Sequence, residues 1–118
     1  MRFLLGRATP IVLAVVGLAC GDTDIGTPPD YPDADATVFL RDNYFSPDSV
    51  TIPANGTVLF RWAGTAGHDI YYGPNVSQNC GLRSIGYCVG PFPQPGAFYY
   101  ICNPHAAQGM RGVVGVTP

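Results

Sequence analysis

The sequence contains no lysine and no glutamate: all six basic residues are arginine and all eight acidic residues are aspartate. Lys and Glu are among the best formers of exposed helix, so a helix bundle has little from which to build a solvent face. Charged residues make up 12% of the chain, about half the usual share. A net charge of −2 with no lysine leaves no basic footprint for nucleic acid. Histidine and methionine occur only twice each, one methionine being the first residue. The main apolar run, Ile11 to Ala19, falls short of the roughly 20 residues that cross a bilayer.

What is present favours sheet. The 118 residues suit a single domain. Hydrophobic residues are 47% of the chain, with fifteen Gly, twelve Pro, seven Tyr and six Phe. Aromatic residues fit strands and Gly and Pro fit the turns between them.

The chain divides into three parts. Residues 1–19 place Arg2 and Arg7 before the short apolar run, the pattern of a secretory signal. Val16-Gly17-Leu18-Ala19-Cys20 is similar to a bacterial lipoprotein cleavage box, with Gly17 where Leu is usual, and makes Cys20 the expected lipidation site. The plainer alternative is an export signal cut nearby with Cys20 incidental. Both readings send the protein out of the cytoplasm, to a periplasmic or cell-surface location where disulfides persist. Residues 20–36 carry five of the eight Asp, three Pro and no Arg. Such a segment is expected to form a disordered, extended tether, so membrane attachment would be by lipid anchor only. Residues 37–118 remain as the folded domain. They hold Arg41, Arg61, Arg83 and Arg111 against Asp42, Asp48 and Asp69, so the domain is nearly neutral.

Strands are predicted at Thr37–Arg41, Ser49–Ile52, Thr57–Trp62, Ala97–Cys102 and Gly112–Thr117, with a short apolar piece at His68–Tyr72. Phe45–Asp48 reads as a bend. Ala54-Asn55-Gly56 reads as a turn with Gly56 supplying a positive φ. Along Thr57–Trp62, Val58, Phe60 and Trp62 fall on one face; along Ala97–Cys102, Phe98, Tyr100 and Cys102 do. Gly73–Pro95 reads as loop-rich and holds two cysteines. The implied fold is all-β, a β-sandwich of about six to eight short strands with little or no helix. Asn55-Gly56-Thr57 and Asn75-Val76-Ser77 match glycosylation acceptors but read here as turn residues.

The chemistry gathers at one place. Cys102-Asn103-Pro104-His105-Ala106-Ala107-Gln108-Gly109-Met110 has the spacing Cys-x2-His-x4-Met, and His68 lies upstream. Two imidazoles, a thiolate and a weak axial thioether form the ligand set of a blue-copper electron-transfer centre. Taken singly, a cysteine on a strand face or a methionine at a strand start is ordinary packing. The joint spacing argues for metal.

In these residues the sequence resembles the cupredoxins, and the plastocyanin-like branch most closely. The resemblance runs through Phe45-x-Pro47-x-x-Val50-x-Ile52 and the stretch from Gly56 to Trp62. It continues at Gly67-His68 and at Gly96-x-Phe98-x-Tyr100-x-Cys102-x-x-His105-x4-Met110-x-Gly112, covering residues 37 to 117. It implies an antiparallel Greek-key sandwich that binds one copper ion and carries electrons, with His68, Cys102, His105 and Met110 as ligands. Two departures stand out. Asp69 follows the first histidine, where the family often has Asn. Only 33 residues separate His68 from Cys102, so the middle of the sandwich is expected to be abbreviated.

With Cys20 lipidated and Cys102 on copper, Cys80 and Cys88 are the expected disulfide. The rival reading is a second metal site, for which no unused histidine exists. The expected function is a membrane-tethered, monomeric electron carrier, not an enzyme. It would meet a redox partner protein at the edge of His105, where Pro104, Ala106, Ala107 and Gly109 are small and uncharged. The alternatives are a copper chaperone or storage module, a copper oxidase or nitrite reductase, and a purely structural sandwich. Chaperones favour several exchangeable sulfur ligands, and an enzyme needs further copper ligands.

Overall fold

The computed structural model describes residues 30–118. The signal segment 1–19, the lipidation site Cys20 and tether residues 21–29 lie outside the described residues.

Nine strands follow in order: β1 Ala36–Arg41, β2 Tyr44–Ser46, β3 Ser49–Pro53, β4 Gly56–Trp62, β5 His68–Ile70, β6 Cys80–Arg83, β7 Tyr87–Phe92, β8 Gly96–Ile101 and β9 Arg111–Thr117. A 3-10 helix, Asn103–Gln108, lies between β8 and β9. One sheet has the order β2-β1-β4-β7, a second β3-β9-β8, and β5 pairs with β6 in a small third. Alternation along the strands puts Val38, Leu40, Val58, Phe60, Trp62 and Phe92 from the first sheet into one buried cluster with Ile52, Tyr100, Val114 and Val116 from the second. The all-β sandwich is therefore as expected, but mixed: β1 pairs with β4, and β3 with β9, in parallel.

The segment expected to be loop-rich, Gly73–Pro95, also holds two strands, β6 and β7. β7 pairs antiparallel with β4 from Gly56↔Phe92 to Arg61↔Tyr87. Gly90, Pro91 and Pro93 hide this strand in the sequence. It is tolerated because β7 is an edge strand, where a proline's missing N–H is not needed. On that edge the Gln78 amide donates to the Pro91 carbonyl (2.9 Å) and Arg83 donates to the Tyr87 carbonyl (3.0 Å). The bend at Phe45–Asp48 likewise begins as the short strand β2. At the β3–β4 turn it is Asn55, not Gly56, that takes the left-handed conformation (φ 68°), as does Asn75 (φ 61°) in the second acceptor-like triplet. Gly56 is needed for space: a Cβ there would lie 2.7 Å from the Pro53 carbonyl oxygen.

The ordered body begins earlier than residue 37. A compact unit spans Tyr31–Pro118. Asp35 explains part of this, exchanging bonds with Thr57: its N–H reaches the Thr57 carbonyl (3.0 Å), and its carboxylate accepts from the Thr57 N–H (2.9 Å). The Tyr31 ring covers the Arg61 guanidinium at 4.1 Å and stacks edge-on with Tyr87. Two aromatic contacts and a carboxylate bond are enough to lay an acidic, Pro-rich segment against the sheet. Cys80 and Cys88 are joined in a disulfide, and Cys102 is the free cysteine among the described residues.

Candidate metal centre

Cys102 directly follows β8, and the period of that strand turns it inward with Phe98 and Tyr100. It is fully buried. Pro104 lies in the first turn of the 3-10 helix, which kinks at His105 and ends at Gly109. Gly109 takes φ 87°, a conformation suited to glycine. This reverses the chain so that the Cys102 N–H donates to the Met110 carbonyl (3.0 Å) and the Met110 N–H donates to that of His105 (3.2 Å). The loop is closed on itself by its own backbone. Met110 is fully buried and His105 half-buried.

His68 opens β5 and is fully buried. Its segment is tied to the cysteine strand by reciprocal bonds between Tyr71 and Ile101 (2.9 and 3.0 Å). Trp62, expected only as a core aromatic, also donates its indole N–H to the His68 carbonyl (2.9 Å). Asp69, the residue that departs from the family pattern, accepts from both the backbone N–H (2.7 Å) and the side-chain amide (2.9 Å) of Asn103. The tie between the two ligand loops is thus made with a carboxylate acceptor and an Asn donor. Asn103 was not singled out in the sequence, because its role depends on a residue 34 positions away.

These elements bring three donor atoms together. His68 Nδ1 and His105 Nδ1 lie 3.1 Å apart, and Cys102 Sγ lies 3.7 and 3.5 Å from them. The three atoms form a nearly equilateral triangle, and the point equidistant from them is about 2.0 Å from each, the length of a metal–imidazole bond. His68, Cys102 and His105 are the one such cluster among the described residues. Burial pushes the Cys102 thiol above its ordinary value, partly countered by the backbone N–H groups of Asp69 and His105. A cation seated beside the sulfur reverses that balance and holds it as thiolate. Soft sulfur with imidazole suits copper in both oxidation states, so the donor set fits that metal.

The comparisons with known proteins agree with this geometry. No family model matches the chain. A plastocyanin of Scenedesmus fuscus is 33% identical over 85 residues, which cover 61% of this chain and 85% of that protein. The chain belongs to the plastocyanin family. Among solved structures, the oxidised plastocyanin of Dryopteris crassirhizoma matches with a TM-score of 0.61 at 24% identity, over 69% of this chain and 99% of that one. A purple cupredoxin from Nitrosopumilus maritimus matches with a TM-score of 0.61 at 20% identity, over 70% of this chain and all of that one. A reduced Cu(I) amicyanin variant gives 0.64 at 19% identity, over 75% and 87%. These structural likenesses establish the fold.

Proposed function

We propose that the protein is a blue-copper electron carrier, holding one ion between His68, Cys102 and His105 with Met110 as the weak axial ligand. The observation that carries this reading is the convergence of two imidazole nitrogens and one thiol sulfur on a single point at bonding distance. Copper supplies a one-electron couple, Cu(I)/Cu(II), at such a site. The chain's part is to hold the donors still. His68 is fixed by the Trp62 bond to its carbonyl, Cys102 by Met110, and the two ligand loops by Asp69 and Asn103. Both oxidation states then meet nearly the same donor positions, so little rearrangement accompanies transfer.

His105 is half-buried while His68 and Cys102 are fully buried, which favours its ring as the point where electrons enter and leave. Pro104 and Ala107 beside it are exposed and uncharged, a surface suited to the small interface of a weak redox encounter. The burial of the donors weighs against a copper chaperone, whose ligands must exchange. The finer placement of the protein is as a lipoprotein anchored through Cys20, on the periplasmic or cell-surface side, with the domain on a short tether. The anchor reading is supported by the composition of residues 1–29 alone.

The test is addition of Cu(II) to the purified metal-free protein. An intense visible band from sulfur-to-copper charge transfer is expected, with one copper per chain, and Cys102→Ser should abolish it while leaving the fold intact. Absence of the band in the wild type, or its persistence in Cys102→Ser, overturns the reading.

A further inference from the structure

The His68 ring has two nitrogens, and only one of them faces the cluster. The other, Nε2, lies 3.0 Å from Oδ1 of Asp42. Asp42 sits in the turn between β1 and β2, 26 residues before His68 and outside the family resemblance carried by the ligand motif. We propose that Asp42 is a positioning residue for the metal centre. Its carboxylate accepts the Nε2 proton of His68, selects the tautomer that leaves Nδ1 free to bind, and sets a negative charge behind the ligand ring. This rests on the reading of the cluster as a copper site.

The carboxylate is itself held from several sides. Oδ1 accepts from the backbone N–H groups of Thr65 and Ala66, each at 3.0 Å, and Oδ2 accepts from the Thr65 hydroxyl at 2.9 Å. The loop that supplies these donors is brought in by the N–H groups of Ala63 and Gly64, which both reach the Leu40 carbonyl (2.9 Å). Position 64 must be glycine for this approach, because a Cβ there would collide with the Asp42 carboxyl group. Asn43 turns the chain with φ 72°. With the Thr65 and Ala66 N–H groups and the Thr65 hydroxyl all donating to it, the carboxylate serves as acceptor on every side, and the hydrogen between Asp42 and His68 belongs to Nε2. A carboxylate on the far nitrogen fixes the ring and raises its basicity toward a metal. That favours Cu(II) over Cu(I).

Two variants separate the geometric role from the charge. Asp42→Asn keeps Oδ1 for the Thr65 and Ala66 N–H groups and for His68 and removes the charge; the new amide gives up only the longer bond from the Thr65 N–H (3.2 Å) and can donate to the Thr65 hydroxyl. Asp42→Ala removes both. The ring nitrogens of His68 are read by 15N NMR in the metal-free protein. The wild type and Asp42→Asn should carry the proton on Nε2; Asp42→Ala should show a mixture with the Nδ1–H form. In the copper-loaded protein, Asp42→Asn should shift the preference toward Cu(I) about tenfold, which is 59 mV for a one-electron couple. Asp42→Ala should bind Cu(II) about 10–100-fold more weakly.

A wild-type His68 protonated on Nδ1, or a potential unchanged in Asp42→Asn, overturns the proposal. A residue that merely clasps the Thr65 loop would alter stability and move neither readout. Should Asp42→Ala fail to fold, the wild type and Asp42→Asn still decide. Should the wild type take up no copper, the function proposed above falls, whereas the tautomer in the metal-free protein still decides the role of Asp42.

Discussion

Replacing Tyr100 by Phe should stabilise the metal-free protein. The ring is 1% exposed. It packs edge-on against Phe45 at 4.8 Å and Phe60 at 5.3 Å, and tilted against Tyr72 at 5.4 Å. Phe retains every one of these ring contacts. The hydroxyl is buried with no hydrogen-bond partner among the described residues, and the Tyr72 hydroxyl is in the same position. A buried hydroxyl in that state costs about 1–3 kcal/mol. Removing it leaves a void of methyl size, which takes back about 1 kcal/mol. The net expectation is a gain of about 1 kcal/mol, or about 4–8 °C in Tm for a domain of this size. Because the two rings touch, Tyr72→Phe and the double variant need not add.

The same hydroxyl makes stability fall in alkali. Burial, and then the negative charge of Asp48, push the Tyr100 phenol well above its ordinary value. Burial does the same for Tyr72, with Tyr100 contributing. Native protein therefore keeps protons that the unfolded chain releases above about pH 10, so stability is full below that pH and declines as pH rises past it. Removing the hydroxyls should flatten this decline. The assay is urea unfolding followed by Trp62 fluorescence at about pH 7 and about pH 11, without metal so that binding does not add to stability. A loss of 1 kcal/mol or more in Tyr100→Phe at neutral pH would show that the hydroxyl has a partner. An unchanged alkaline slope in the double variant would refute the titration argument.

Three further outcomes are expected. Met110→Leu should keep copper but raise the reduction potential, because the weak axial ligand tunes it; voltammetry reads this, and a lowered potential contradicts the axial role. Ala106→Glu should leave the copper spectrum alone while slowing electron transfer to a physiological partner in stopped-flow measurements; unchanged rates place the docking surface elsewhere. Opening the Cys80–Cys88 link with a paired Ala substitution should destabilise the fold by about 2–3 kcal/mol, the loop-entropy value for so short a ring, with the visible band retained; calorimetry showing no change would mean that β6 and β7 hold without it.

Much of this was legible in the sequence, and the exceptions share a cause. The strands β4 and β8 announce themselves because Val58, Phe60 and Trp62, or Phe98, Tyr100 and Cys102, recur with period two beside clear turns. The cluster is legible because Cys102 and His105 lie in one short loop and His68 has no competitor. β7 was not, since Gly90 and Pro91 are turn residues everywhere except on an edge. The order within the Tyr31–Asp35 stretch was also hidden. It depends on Thr57 and Arg61, residues of a strand that pairs in parallel with β1 and so arrives after a long excursion of the chain. Asp42 and Asn103 stand in the same position: each acts on a residue 26 or 34 places distant. A single carboxylate or amide carries no pattern to reveal that.

The outer margin of β7 has a consequence for how the molecule behaves in company. Another chain laid along it would meet no donor at Pro91 and would find the carbonyls of Tyr87 and Pro91 already engaged by Arg83 and Gln78. Open strand margins are where β proteins recruit one another into aggregates. Here the irregularity that concealed the strand also denies a neighbour the regular ladder it would need to join. An electron carrier must collide often and part quickly, and a margin of this kind lets crowded copies touch without sticking.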